Sequence, residues 1–277
     1  MQFEAFFIQS GTAEKSQRLY IFYPSQQTVV RGLVLYIHPL ADEMNKTRRM
    51  VSLQARALAE AGFSVLQIDL LGCGDSAGDF GDATWQHWID DVVQAHHWLR
   101  KKSLAPLWLW GLRGGCLLAV EATRQLNDNC HLIFWQPASS GKLLLQQFLR
   151  LKLAGDLLDG QGKGVMQAMR QQLAQGQSVE IAGYNLSGGL AQGLELATLT
   201  PPQPSGASGC VVWFEISARA ETSLSPGALQ SIAQWQAAGF DTQGQLVHGP
   251  AFWQSHDIEE IPDLIKATTE VIAAMSI

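Results

Sequence analysis

An α/β fold, with a mostly parallel sheet flanked by helices, is predicted for this chain by three observations. Short buried apolar runs alternate with amphipathic helix patterns from residue 32 onward. One run, Leu107-Trp108-Leu109-Trp110, enters a glycine-framed turn and passes at once into a helix-like stretch at 116–126. The alternation is interrupted once, between Trp135 and Cys210, by a block of Gln-rich helical segments that reads as an insertion.

The elements follow in order. Residues 3–9 and 18–23 are strands that form an antiparallel start. Residues 32–38 are a fully apolar strand, Leu33-Val34-Leu35-Tyr36-Ile37. A helix is expected over 50–61, stopped by Gly62, and a strand over 64–70. Thr84 caps a helix running to Lys101, with Trp85, Trp88, Ile89, Val92, Val93 and Leu99 on one face. After the strand 107–110 and its helix comes a strand at 131–135. The insertion carries helices at 142–158, 165–174 and 190–199, with 179–186 ambiguous, and ends at Pro201-Pro202-Gln203-Pro204. Residues 210–216 resume the buried-strand pattern. A helix at 229–238, a short strand at 245–248 and a helix at 261–274 close the chain. The domain reading is a core of 1–138 and 206–277, with a helical cap at 139–205.

Composition narrows the classes. With 277 residues, 47% of them apolar and 16% charged, the chain is globular with a sizeable core. A net charge of −6 without a basic run argues against nucleic acid. No transmembrane segment and no signal peptide are expected. Cys73, Cys116, Cys130 and Cys210 are scattered, which reads as reduced thiols in a cytoplasmic protein. Neither a cofactor nor a metal-ligand set is expected.

The turn Gly111-Leu112-Arg113-Gly114-Gly115 has the layout of a nucleophile elbow, written G-x-S-x-G in serine hydrolases of the α/β-hydrolase fold. Its flanking glycines suit a turn too sharp for side chains. Its central residue is Arg113, not serine. A guanidinium offers no lone pair and stays protonated at any working pH. The chain thus resembles the α/β-hydrolase superfamily over nearly its whole length. Residues 38–49, the stretch Asp69-Leu70-Leu71-Gly72-Cys73-Gly74-Asp75-Ser76, the elbow, and Gly249-Pro250-Ala251-Phe252-Trp253 are similar to the exosortase A system-associated hydrolase 2 family. That resemblance implies an association with exopolysaccharide synthesis and PEP-CTERM protein sorting, and a possible protein partner there. It does not establish an activity.

A serine-type mechanism needs a nucleophile, a histidine base and a carboxylate. The base is expected three residues after Gly249, where Phe252 stands; His248 and His256 are nearby. The acid is expected after residue 216, where Glu221 is on offer and Glu215 lies in the strand. Cys73 is a substitute nucleophile without an evident histidine, and Cys116 reads as a buried thiol. The resemblance implies that Leu40 or Ala41 supplies an oxyanion-hole N–H and that His38 braces their loop. Asp42, Glu43, Lys46, Arg48 and Arg49 crowd charge beside them. Arg113 is expected to meet Asp42, Glu43 or an anion, because a buried unpaired charge is too costly. Arg48 and Arg49 join Arg113 as candidates for an anion site.

Three functions fit these readings. The favoured one is a non-hydrolytic protein, a pseudoenzyme, that binds an anionic or acylated small molecule. The second is a hydrolase with a rearranged site, acting on an ester, thioester or acyl-sugar. The third is a scaffold working through its surface.

Overall fold

The computed structural model describes residues 3–9, 16–126, 128–156, 162–202 and 209–275. Eight strands form one sheet in the order β1-β2-β4-β3-β5-β6-β9-β10. They are β1 (Glu4–Gln9), β2 (Gln17–Tyr23), β3 (Gly32–Ile37), β4 (Phe63–Ile68), β5 (Leu107–Leu112), β6 (Cys130–Trp135), β9 (Cys210–Ser217) and β10 (Asp241–His248). Only the pairings β1–β2 and β2–β4 are antiparallel. The others are parallel, which explains why β3, β5 and β6 are apolar at nearly every position: both faces are covered.

Alternate residues serve the two faces. Leu33, Leu35 and Ile37 of β3 enter one core with α2 (Trp85–Arg100), α3 (Gly114–Gln125) and α7 (Pro226–Ala237). Val34 and Tyr36 enter the other, beneath α1 (Asp42–Glu60) and α8 (Pro262–Ala274). Thr84 caps α2, its side chain accepting from the His87 N–H at 3.2 Å.

Between β6 and β9 the chain forms α4 (Gly141–Asp156), α5 (Gly162–Ala174), a hairpin of β7 (Val179–Ile181) and β8 (Tyr184–Leu186), and α6 (Gly188–Leu196). None of these joins the eight-stranded sheet. The ambiguous 179–186 segment is the hairpin, paired Val179 with Leu186. The expected helix end at Leu158, Pro204, and the cap boundary at 205 and 206 lie outside the described residues.

Two elements begin earlier than the sequence suggests. The helix expected from Met50 begins at Asp42, eight residues earlier. Its first two turns, Asp42 to Arg49, carry little apolar periodicity, so they read as a loop. Asp42 and Glu43 nevertheless suit the positive end of a helix, and Met44 and Thr47 face the core. The last strand is likewise longer than expected, starting at Asp241 because its edge position leaves most of its residues wet.

Candidate functional site

The site forms where β3 and β5 end side by side, with Ile37 opposite Gly111. β5 runs out at Leu112, and α3 begins at Gly114. Arg113 alone makes the turn, at φ 55° and ψ −114°. L-residues rarely adopt this conformation, at a cost of about 1–3 kcal/mol. It is held by the neighbouring strand: Arg113 N–H donates to Trp135 O at 3.0 Å, and Arg113 O accepts from Cys116 and Ala138. The two glycines allow the closure. A Cβ on Gly111 would lie 2.5 Å from the Cys116 nitrogen, and one on Gly115 would collide with Ile37 O.

Across the hole, Leu40 and Ala41 follow β3. Ala41 shares the unusual conformation, at φ 52° and ψ −127°, directly before α1. His38 ties their loop to the sheet. Its Nδ1 lies 2.8 Å from Pro39 O, and its Nε2 accepts from the Leu70 N–H at 3.3 Å. With Nδ1–H donating and Nε2 accepting, the ring is a neutral brace. Burial pushes its pKa below the usual histidine value. The glycine loop beyond β4 is held in the same manner. Asp69 accepts from the Asp75 N–H and from Arg48, while the Ser76 hydroxyl donates to Asp69 O at 2.5 Å and accepts from Leu19 N–H.

The Arg113 side chain points into this hole and is 11% exposed. Its Nε donates to Glu43 Oε1 at 3.4 Å, and its Nη2 to Gln147 Oε1 of α4 at 3.3 Å. The guanidinium carbon stands 5.5 Å from the Trp253 ring centre. Burial raises the pKa of Glu43, with Arg113 opposing the rise. The second Glu43 oxygen, Oε2, is buried with no hydrogen-bond partner among the described residues.

Leu144 of α4 closes the remaining space. A Cβ on Gly114 would be 2.8 Å from Leu144 Cδ2 and 3.9 Å from the Leu40 nitrogen. The hollow bounded by His38, Leu40, Trp88, Gly114 and Leu144 measures about 10 Å³, room for one water at most.

The remaining candidates do not converge on Arg113. Asp42 pairs with Lys46 at 2.9 Å, Arg48 with Asp69 at 2.9 Å and Arg49 with Glu260 at 2.7 Å. Each of the three arginines thus faces its own carboxylate, and Arg48 and Arg49 do not meet Arg113. Phe252 is fully buried, edge-on to Trp135 and Trp253, and fills the base position with carbon. His248 and Glu221 are exposed. Burial pushes the Cys73 and Cys116 thiols far up, so neither is a ready thiolate. Gln147 and Leu144 also contact Arg113 or its hollow and were not singled out in the sequence, and Trp253 was named there without a role. For Trp253, the neighbouring Phe252 was the available signal; for the two α4 residues there was none.

The sheet order, the strained turn after β5 and the hole beside it define an α/β-hydrolase fold whose elbow lacks a nucleophile. The chain belongs to the Hydrolase_4 family, described as serine aminopeptidase, S33, whose model matches residues 28–171, more than half of the chain. The fold is similar to that of Est1E from Butyrivibrio proteoclasticus with bound ferulic acid (TM-score 0.66, 14% identity, covering 97% of this chain and 98% of that one). It is also similar to a highly thermostable carboxyl esterase from Bacillus coagulans in complex with glycerol (TM-score 0.65, 16% identity, covering 99% and 97%). At these identities the likeness is one of fold. The protein ABHD12B of Homo sapiens is 28% identical over 97 residues, 35% of this chain. The match spans only 25% of that relative's length. Among the described residues no helix is long and apolar enough to cross a membrane.

Proposed function

We propose that this chain is a non-hydrolysing α/β-hydrolase-fold protein that binds an anionic or acylated small molecule at Arg113, beneath a cap of residues 139–205. The observation that carries this reading is the state of the elbow. Its arginine meets Glu43 by one 3.4 Å contact, and the other Glu43 oxygen is buried without a partner among the described residues. A planar guanidinium prefers two parallel bonds to an anion. An incoming carboxylate, sulfonate or phosphate offers them. Glu43, released, takes a proton, which its raised pKa favours. Leu144 and Gln147 shift with α4 to admit the ligand. Binding is thus an exchange of one anion for another at the former oxyanion hole.

Against a rearranged hydrolase speak His38, which spends both ring nitrogens on the backbone, and the buried Phe252 at the position expected for a base. The motif resemblance supports a place beside exopolysaccharide synthesis and exosortase-dependent sorting, and the scattered free thiols support the cytoplasm.

The test is binding of hexanesulfonate, which stays ionised across the range, followed by thermal shift and calorimetry at pH 5.5 and 7.5. The wild type is expected to bind, and more tightly at pH 5.5, where Glu43 accepts its proton more readily. The Arg113→Met protein is expected to show no shift. Equal binding by both proteins refutes the reading, as does hydrolysis of nitrophenyl acetate above background by the wild type that disappears in Arg113→Met.

A further inference from the structure

A second cavity lies wholly inside the insertion, away from the elbow, and its walls come from α4, α5 and α6. Its volume is about 220 Å³. Protein interiors are packed to crystal density, and an apolar cavity of about 150 Å³ already holds a benzene molecule. The lining is two-sided. Leu145, Leu173 and Ala191, all buried, form an apolar wall; Arg170, Gln192 and Glu195 form a polar one. Arg170 Nη1 donates to Glu195 Oε1 at 3.2 Å, in a pair whose side chains are 38% and 40% exposed. At such exposure the pair contributes little by itself, so it is easily rearranged. This single contact engages one of the five guanidinium N–H donors, and the fork keeps others for a second acceptor.

We propose that this cavity is a binding site for a small amphipathic carboxylate, an aromatic or short acyl acid of about ten heavy atoms. Its carboxylate bonds to Arg170, with the Gln192 amide as a second donor. Its apolar body lies against Leu145, Leu173 and Ala191. Arg170, turned from Glu195 to the ligand, selects an anionic head, and the volume of about 220 Å³ limits the ligand's size. The site is independent of the one proposed at Arg113 and does not rest on it.

The test uses the whole chain with benzoate and hexanoate as probes, hexylammonium and inorganic phosphate as controls, and calorimetry as the readout. Because a carboxylate could also meet Arg113, all measurements are made in the Arg113→Met protein, which either acid is expected to bind. Arg170→Met is expected to weaken binding at least tenfold. Ala191→Phe, which fills the cavity, is expected to abolish it. Should Ala191→Phe fail to fold, the Arg170→Met comparison decides alone. Four results, read in the Arg113→Met background, overturn the proposal: no binding of either acid at millimolar concentration; binding unchanged by Arg170→Met; hexylammonium binding as well as hexanoate; or phosphate binding as well as either acid, which would leave the apolar wall without a role.

Discussion

Replacing Arg113 with methionine keeps the aliphatic stem and removes the charge facing Glu43. The side chains of the pair are 11% and 19% exposed, so the carboxylate left behind is largely cut off from water. Breaking a fully buried pair costs about 3–5 kcal/mol. Here the contact is single and long, at 3.4 Å, and Glu43 escapes part of the cost by taking a proton. A loss of about 2–3 kcal/mol at pH 7.5 follows, which for a chain of this size lowers Tm by roughly 5–10 °C. The dependence on pH has a definite sign. The folded-state pKa of Glu43 lies above its ordinary 4.5. Its ionisation therefore contributes no penalty below that value, and stability is lost as pH rises through the window up to the folded pKa. Removing Arg113 removes what opposes the rise, so the window widens upward and the deficit grows with pH. Near pH 4.5 only the lost Gln147 contact, about 1 kcal/mol, remains. Thermal melts or urea titrations of both proteins from pH 4.5 to 7.5 measure this. A variant as stable as the wild type at pH 7.5, or a deficit no smaller at pH 5 than at pH 7.5, refutes the account.

Two further substitutions probe the frame. Gly115→Ala drives a Cβ against Ile37 O and is expected to destabilise by at least about 2 kcal/mol, seen as a lower urea midpoint; an unchanged midpoint means the elbow is looser than described. His38→Ala strips the Leu70 N–H of its acceptor and is expected to cost about 1–3 kcal/mol near neutrality. Because the folded pKa of His38 is held below its ordinary 6.5, the wild type loses stability as pH falls from 6.5 towards that lower value. This slope is opposite in sign to that of Glu43 and should be absent in the variant.

The elbow was legible because it is local: five consecutive residues between a buried strand and a helix specify it. The pairing of Arg113 was narrowed to Asp42 or Glu43 by the cost of a buried charge, and only helical phase separates the two. Asp42 turns outward to Lys46, while Glu43 turns in. That phase was hidden because residues 42–49 look like a charged loop. The closure by Leu144 and Gln147 could not be read at all. It depends on how α4 lies over the sheet, and a leucine and a glutamine on a mixed helix carry no mark of what they cover. Arg48 and Arg49 misled because adjacency in sequence places them on different sides of a helix.

The backbone at Arg113 and Ala41 adopts a conformation that ordinary L-residues avoid. Such angles survive because the surroundings over-determine them: the β5–β6 register, the packed glycines and the His38 brace would all have to yield together. For a protein engineer this is a chassis with its mounting point intact. A serine or cysteine grafted at position 113 would inherit the elbow's backbone pose without redesign. A proton acceptor placed where Phe252 stands would require the buried Trp135–Phe252–Trp253 cluster to be rebuilt.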